Sequence, residues 1–286
     1  MIVQRKLRNS DLAPGDLRSH TFDWTGFQFI QVTAPNDPDF ERLYDFLNAD
    51  FGPKNEMETR EVLRKRLGWA GKVQLEGKRF AYSMLGLEKD GKIAAGRDHT
   101  VVLTPSPSPR ACVHLSHVLV DPQWRRTGLA GWLRAFPVHD ARSLCLQSDL
   151  PATTPITLVA EMEPFDRPDQ YARLKAYSRA GFRRADPDKV PYFQPDFRPP
   201  GEIDASGGLQ PLPFWLMIRQ VGNENDTAVT GLEVRRIVDA LYAMYASGFR
   251  EQDMAPLYQK LENDYPSPHE EIALELIDLD QLKKFR

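Results

Sequence analysis

Cysteine is nearly absent: Cys112 and Cys145 are the only two in 286 residues, and neither belongs to a C-x-x-C pair or a spaced histidine set. That excludes a disulfide-framed scaffold, offers no metal-ligand pattern, and fits a reducing compartment, so a cytoplasmic location is expected. No sign of charge dominates. With 37 Lys plus Arg against 40 Asp plus Glu, the formal charge is -3, which leaves no basic footprint for nucleic acid and no polybasic segment for a membrane. Long apolar runs are missing as well. Val118–Val120 and Leu216–Ile218 are short, against the roughly 20 consecutive apolar residues of a membrane-spanning helix. Met1–His20 mixes Arg5, Lys6, Arg8 and Arg18 with Asp11 and Asp16 and has no apolar core of the kind a signal peptide requires.

What is present is the composition of a soluble globular chain, 41% apolar and 27% charged. At roughly 100–200 residues per domain, its length allows one large domain or two small ones, each able to bury its own core. Proline outnumbers glycine, 23 to 18, and gathers at 104–109, 187–200 and 211–213, stretches that read as loops.

A β-prone run at Phe27–Val32 precedes Asn36-Asp37-Pro38, a helix-start signal; Phe40, Leu43, Tyr44 and Leu47 then recur at helical spacing, predicting a helix over 38–49. A second helix is expected at about 56–68. Asp90-Gly91 between Phe80–Glu88 and Ile93–Leu103 is a strong hairpin signal. Cys112–Val120 reads as a strand, and a helix from near Arg126 should be kinked or ended by Pro137. Ile156–Met162 reads as a buried strand, Pro168–Ala180 as a helix stopped by Gly181, and Phe182–Phe193 and Phe214–Val221 as strands. Strands and helices thus alternate around one hairpin, which makes the class α/β with a mixed sheet. Beyond Asn225, Thr230 and Glu233 have capping-box spacing ahead of an apolar stripe from Val234 to Tyr245. A further helix is expected over Gln252–Asn263; Ser267-Pro268 with Glu270 announces one more terminal element, although Ile272, Leu274 and Leu276 also alternate like a strand.

The chemistry-bearing segment runs from His114 to Gly131, His-Leu-Ser-His-Val-Leu-Val-Asp-Pro-Gln-Trp-Arg-Arg-Thr-Gly-Leu-Ala-Gly. A strand, a tight turn and a helix start make an anion site, because the first backbone N–H groups of a helix lack acceptors and the helix dipole adds positive charge there. Gly128 lets the backbone approach a ligand closely, Arg125 and Arg126 add charge, and Ala130 and Gly131 keep the next turn thin.

This segment resembles the acyl-CoA-binding motif of the GNAT acetyltransferase superfamily, whose pattern is Gln or Arg, two residues, Gly, one residue, Gly or Ala. Arg125, Gly128 and Ala130 occupy those places. Val120-Asp121-Pro122 matches the strand end that precedes the motif, and Tyr177-Ser178-Arg179-Ala180-Gly181-Phe182 matches a second family motif. The resemblance covers roughly 27–221 and implies a largely antiparallel twisted sheet flanked by helices, with 1–26 a lead and 222–286 a helical extension. That extension is expected to pack on the main domain or to form a homodimer through its helices.

The resemblance implies acetyl-CoA as co-substrate and a small-molecule or protein amine as acceptor. It assigns the backbone of Val118, Leu119 and Val120 to the pantetheine, and Arg125, Arg126, Thr127, Gly128, Leu129 and Ala130 to the pyrophosphate. Tyr177 becomes the general acid for the leaving thiolate, and Gln170 stands where the family often has Asn. Arg126 stands where the loop usually has a second glycine. Candidates for the base are His114, Ser116, His117, Glu161 and Glu163. His114 and His117, three apart on a strand, are expected on opposite faces. The acceptor pocket is expected from 40–70, 190–215 and the tail, which hold Trp69, Tyr192, Phe193, Glu61 and Asp196. The alternative is a non-catalytic acyl-CoA-binding module whose tail binds a partner.

Overall fold

The structure, a computed structural model, describes residues 7–75, 77–164 and 168–277. They fall into two compact units, divided between Leu158 and Val159.

In the first unit the chain runs β1 (Phe27–Val32), α1 (Phe40–Phe51), α2 (Arg60–Leu67), β2 (Val73–Leu75), β3 (Lys78–Lys89), β4 (Lys92–Thr104), β5 (Arg110–Val120) and α3 (Leu129–Gln147), with β6 (Ile156–Met162) continuing into the second. The strands β1, β3, β4 and β5 lie in that order, each antiparallel to the next, and β2 pairs antiparallel with β3. Helices cover both faces. On one, α1 buries Phe40, Leu43, Tyr44 and Leu47. Its close approach needs Gly86 and Gly96, register partners across β3 and β4, since a Cβ on Gly86 would stand 2.5 Å from Leu43 and one on Gly96 3.2 Å from Phe46. On the other face α3 packs Leu129, Trp132, Leu133 and Phe136 against Phe27, Leu85, Leu87 and Ala95.

Pro137 neither ends nor interrupts α3, which runs for 19 residues through it. A proline there removes the N–H that would bond the carbonyl of Leu133. The guanidinium of buried Arg97 donates to that carbonyl instead, at 3.2 Å. Residues before Phe27 also pack on α3: Asp16 pairs with Arg134 at 2.6 Å and Asp11 with Arg142 at 3.0 Å.

The second unit continues with α4 (Pro168–Arg179), β7 (Arg183–Ala185), β8 (Phe193–Gln194), α5 (Pro200–Ala205), β9 (Leu212–Pro213), β10 (Trp215–Gln220), β11 (Ala228–Thr230), α6 (Gly231–Tyr245), α7 (Glu251–Asn263) and β12 (Glu271–Glu275). Its strand order is β6-β10-β7-β12-β11, with antiparallel pairing from β10 onward, and β8 and β9 form a separate ribbon. The long strand expected at Phe182–Phe193 is confined to Arg183–Ala185 plus the first residue of β8; Pro187 and Pro191 remove donors between them. The capping box of Thr230 and Glu233 is present, and Ile272 and Leu274 lie in β12, which ends before Leu276. The fold is thus mixed α/β, largely antiparallel, with flanking helices. Among the described residues, no helix is long and apolar enough to cross a membrane.

Candidate active site

Strand β5 ends at Val120, with Val118, Leu119 and Val120 all half-buried. Asp121 then caps a short turn over Pro122–Trp124 by accepting from the Gln123 N–H at 3.0 Å. Arg125 folds its Nε back to the Val120 carbonyl, and the Thr127 hydroxyl donates to the Trp124 carbonyl at 2.6 Å. These bonds fix a loop in which Arg126 has φ +68° and Gly128 φ +110°. Gly128 caps α3 in a conformation suited to glycine. Arg126 stands in the left-handed region too, at a strain of about 1 kcal/mol, a conformation that glycine adopts without steric cost.

Among the described residues, the backbone N–H groups of Arg126, Thr127, Gly128, Leu129 and Ala130 donate to no backbone carbonyl. Five consecutive donors at a helix start, with the Arg125 and Arg126 side chains exposed beside them, suit an anion with several oxygens. Gly131 has another role than thinning the loop, since its Cβ would meet Asp16 of the N-terminal segment at 3.0 Å.

Upstream on β5, the face expectation fails. The β4–β5 register shifts between Arg97 and His99, so Ser116 and His117 together oppose Asp98. This bulge turns His117 to the face of Asp98, and His114, opposite Thr100, lies on that same face. Asp98, fully buried, accepts from the Tyr82 hydroxyl at 3.0 Å and from the backbone N–H of His117 at 2.8 Å, and sits 2.9 Å from His117 Nδ1. His117 Nε2 faces the Glu56 carbonyl at 2.6 Å. Both ring nitrogens therefore face acceptors, and both carry hydrogen. Burial opposes the charge, but Asp98, aided by Glu58 and the Glu56 carbonyl, pushes the imidazolium up to about 9. Burial likewise raises Asp98, yet the His117 charge and its hydrogen bonds hold that carboxyl well below the usual range. His117 is thus a buried cation tying the α1–α2 connection to the sheet, and it has no lone pair to act as a base. His114 is buried, with its Nδ1 3.1 Å from the Ser116 hydroxyl.

The other candidates lie in the second unit. Tyr177 is 3% exposed, packed edge-on against Phe182 at 4.9 Å. Gln170, also buried, donates to Glu163 at 2.8 Å and so ties α4 to the segment after β6. Glu161 on β6 is half-buried and accepts from the hydroxyls of Tyr192 and Tyr245, the latter at 2.6 Å, and from Gln194 Nε2 at 3.2 Å. Sequence reasoning placed Tyr192 in the acceptor region but missed Tyr245, which its helical spacing concealed in an apolar stripe. Asp196, named for the same pocket, is held by Arg198 at 2.5 Å, and Trp69 is buried against Phe80.

The chain resembles GNAT acetyltransferases in fold. An aminoglycoside acetyltransferase from an uncultured soil metagenomic sample, solved with trehalose, is 20% identical over 53% of this chain and 86% of its own, with a TM-score of 0.34. A GNAT-family acetyltransferase from Streptococcus pneumoniae is 14% identical over 68% of this chain and 99% of its own, with a TM-score of 0.36. A tandem GNAT protein from the clavulanic acid biosynthesis pathway is 17% identical over 56% of this chain and 45% of its own, with a TM-score of 0.35. No protein-family model and no curated protein matches the chain. At these similarities, function has to be argued from the chain's own residues.

Proposed function

We propose that the protein is an N-acetyltransferase of the GNAT superfamily that moves the acetyl group of acetyl-CoA to a primary amine. The run of unpaired N–H groups from Arg126 to Ala130, shaped by positive φ at Arg126 and Gly128, carries the proposal. It fits a diphosphate, with Arg125 and Arg126 adding charge at the rim. When bound, acetyl-CoA supplies an activated acyl thioester. The backbone of Val118, Leu119 and Val120 binds the pantetheine amides, and one of its N–H groups polarises the thioester carbonyl. Tyr177 donates its phenol proton to the leaving sulfur. Gln170 serves the site by holding α4 against Glu163. Of the base candidates, His117 is already protonated, His114 Nδ1 faces the Ser116 hydroxyl and Glu163 accepts from Gln170; we assign the amine's proton to Glu161.

Calorimetric titration with CoA tests the loop: Gly128→Val should weaken binding at least about tenfold by blocking backbone approach, and an unchanged dissociation constant refutes the assignment. Thiol release from acetyl-CoA over an amine panel tests the reaction. Release that depends on an amine, and falls at least about tenfold in Tyr177→Phe, supports transfer. Tight CoA binding without release for any amine favours the non-catalytic binding module.

A further inference from the structure

Glu161 is gripped by two tyrosine hydroxyls that belong to different parts of the second unit. Tyr192 precedes β8 and bonds Oε1, whereas Tyr245 is the last residue of α6 and bonds Oε2, with Gln194 sharing that second oxygen. Both rings are immobilised. Tyr192 stacks on Tyr242 of α6 at 5.6 Å, and Tyr242 donates its own hydroxyl to the Phe193 carbonyl at 3.1 Å. Tyr245 is 2% exposed and meets Phe197 and Phe249 edge-on at 5.7 and 5.9 Å, and those two rings contact each other at 5.1 Å. Burial, then the neighbouring Glu161 charge, holds the Tyr192 phenol well above its ordinary value, so it stays a donor.

For packing alone, a phenylalanine would fill the place of Tyr245 equally well. The two hydroxyls do something packing does not: they fix the carboxylate's orientation and favour its ionised form. One of them comes from the segment beyond 221, outside the part of the chain with GNAT resemblance.

We propose that Tyr245, together with Tyr192, is a positioning residue for Glu161, and that the C-terminal helical segment thereby completes the acceptor site. This rests on Glu161 being the proton acceptor. In that step an N–H bond of the substrate ammonium breaks, its electron pair stays on nitrogen as the nucleophilic lone pair, and the proton forms an O–H bond on Glu161. The proton then leaves to solvent. Hydroxyls donating to both carboxylate oxygens favour the ionised form and keep the group aimed for the next ammonium.

The test compares the wild type with Tyr245→Phe, Tyr192→Phe and, as a packing control, Phe249→Leu, all in the full chain. Carbon-13 glutamate labelling follows the Glu161 carboxyl by NMR across pH, its signal assigned by its loss in Glu161→Gln. Removing either hydroxyl should move the Glu161 midpoint upward by about one pH unit, while Phe249→Leu leaves it in place. The acid limb of kcat/KM with the accepted amine should shift in the same direction, with the CoA dissociation constant unchanged. A midpoint that stays put in both tyrosine variants overturns the proposal, as does a shift in midpoint with no change in the pH–rate profile. If no amine is turned over, the transferase reading fails separately and the acceptor-site role falls with it, while the carboxyl titration still decides whether Tyr245 controls Glu161.

Discussion

Two carboxylates in this chain are held in similar ways, and our proposal gives them different work. Asp98 in the first unit and Glu161 in the second each accept a tyrosine hydroxyl and further N–H or O–H donors. Asp98 is fully buried and its main partner is a cation, His117, that has also captured the Glu56 carbonyl. Such an arrangement is closed, and removing either charge would leave the other buried and uncompensated. Glu161 is half-buried and accepts from the hydroxyls of Tyr192 and Tyr245 and from Gln194. Under our proposal it has to be ionised to meet an ammonium, and hydroxyls that donate to a carboxylate favour that form.

The largest expected effect separates the two by activity. Glu161→Gln should lower kcat/KM by about 10²-fold or more, with the melting temperature and the CoA dissociation constant hardly changed. Asp98→Asn should do the reverse, leaving a buried imidazolium without its counter-charge at a loss of about 3–5 kcal/mol, a melting point lower by roughly 10 °C. If thermal denaturation shows both variants equally destabilised, the distinction collapses.

A subtler separation comes from pH. His117 has a raised folded-state value of about 9, so its stabilisation is complete below its unfolded value near 6.5 and is lost as pH climbs through 9. Asp98 is depressed, so its contribution is present above its ordinary value near 3.8 and fades as pH falls below it. Denaturant unfolding should therefore show stability declining from about pH 6.5 to 9, and His117→Gln should flatten that limb. A limb that survives the substitution assigns it to another group.

The smallest effect concerns the loop, where strain replaces pairing. Arg126→Gly should relieve the left-handed residue and raise stability by up to about 1 kcal/mol, at the loss of one charge near the anion. Denaturation midpoints would detect it, and a loss of stability would mean that the Arg126 side chain holds the loop.

Much of the fold was legible from local signals. The hairpin at Asp90-Gly91 forms with both residues at positive φ, Ile156–Met162 is a strand at the expected bounds, and Thr230 with Glu233 caps α6. Long-range compensation was not legible. Pro137 reads as a break, and only the sheet shows that Arg97 replaces the missing donor at Leu133. The faces of His114 and His117 were misjudged because a bulge is set by pairing with β4, which the β5 sequence does not encode. The β5–α3 turn was legible because helix starts and glycine have local signatures. The grip on Glu161 could not, because Tyr245 obeys the helical period of its apolar neighbours and its hydroxyl meets a residue 84 positions away.

The central claim, that the β5–α3 turn holds the diphosphate of a CoA ester on its own backbone, is tested most directly by adding CoA to nitrogen-15-labelled protein. The amide resonances of Arg126, Thr127, Gly128, Leu129 and Ala130 should move downfield together as their N–H groups gain charged acceptors. Saturable CoA binding that leaves those five amides unmoved would contradict it.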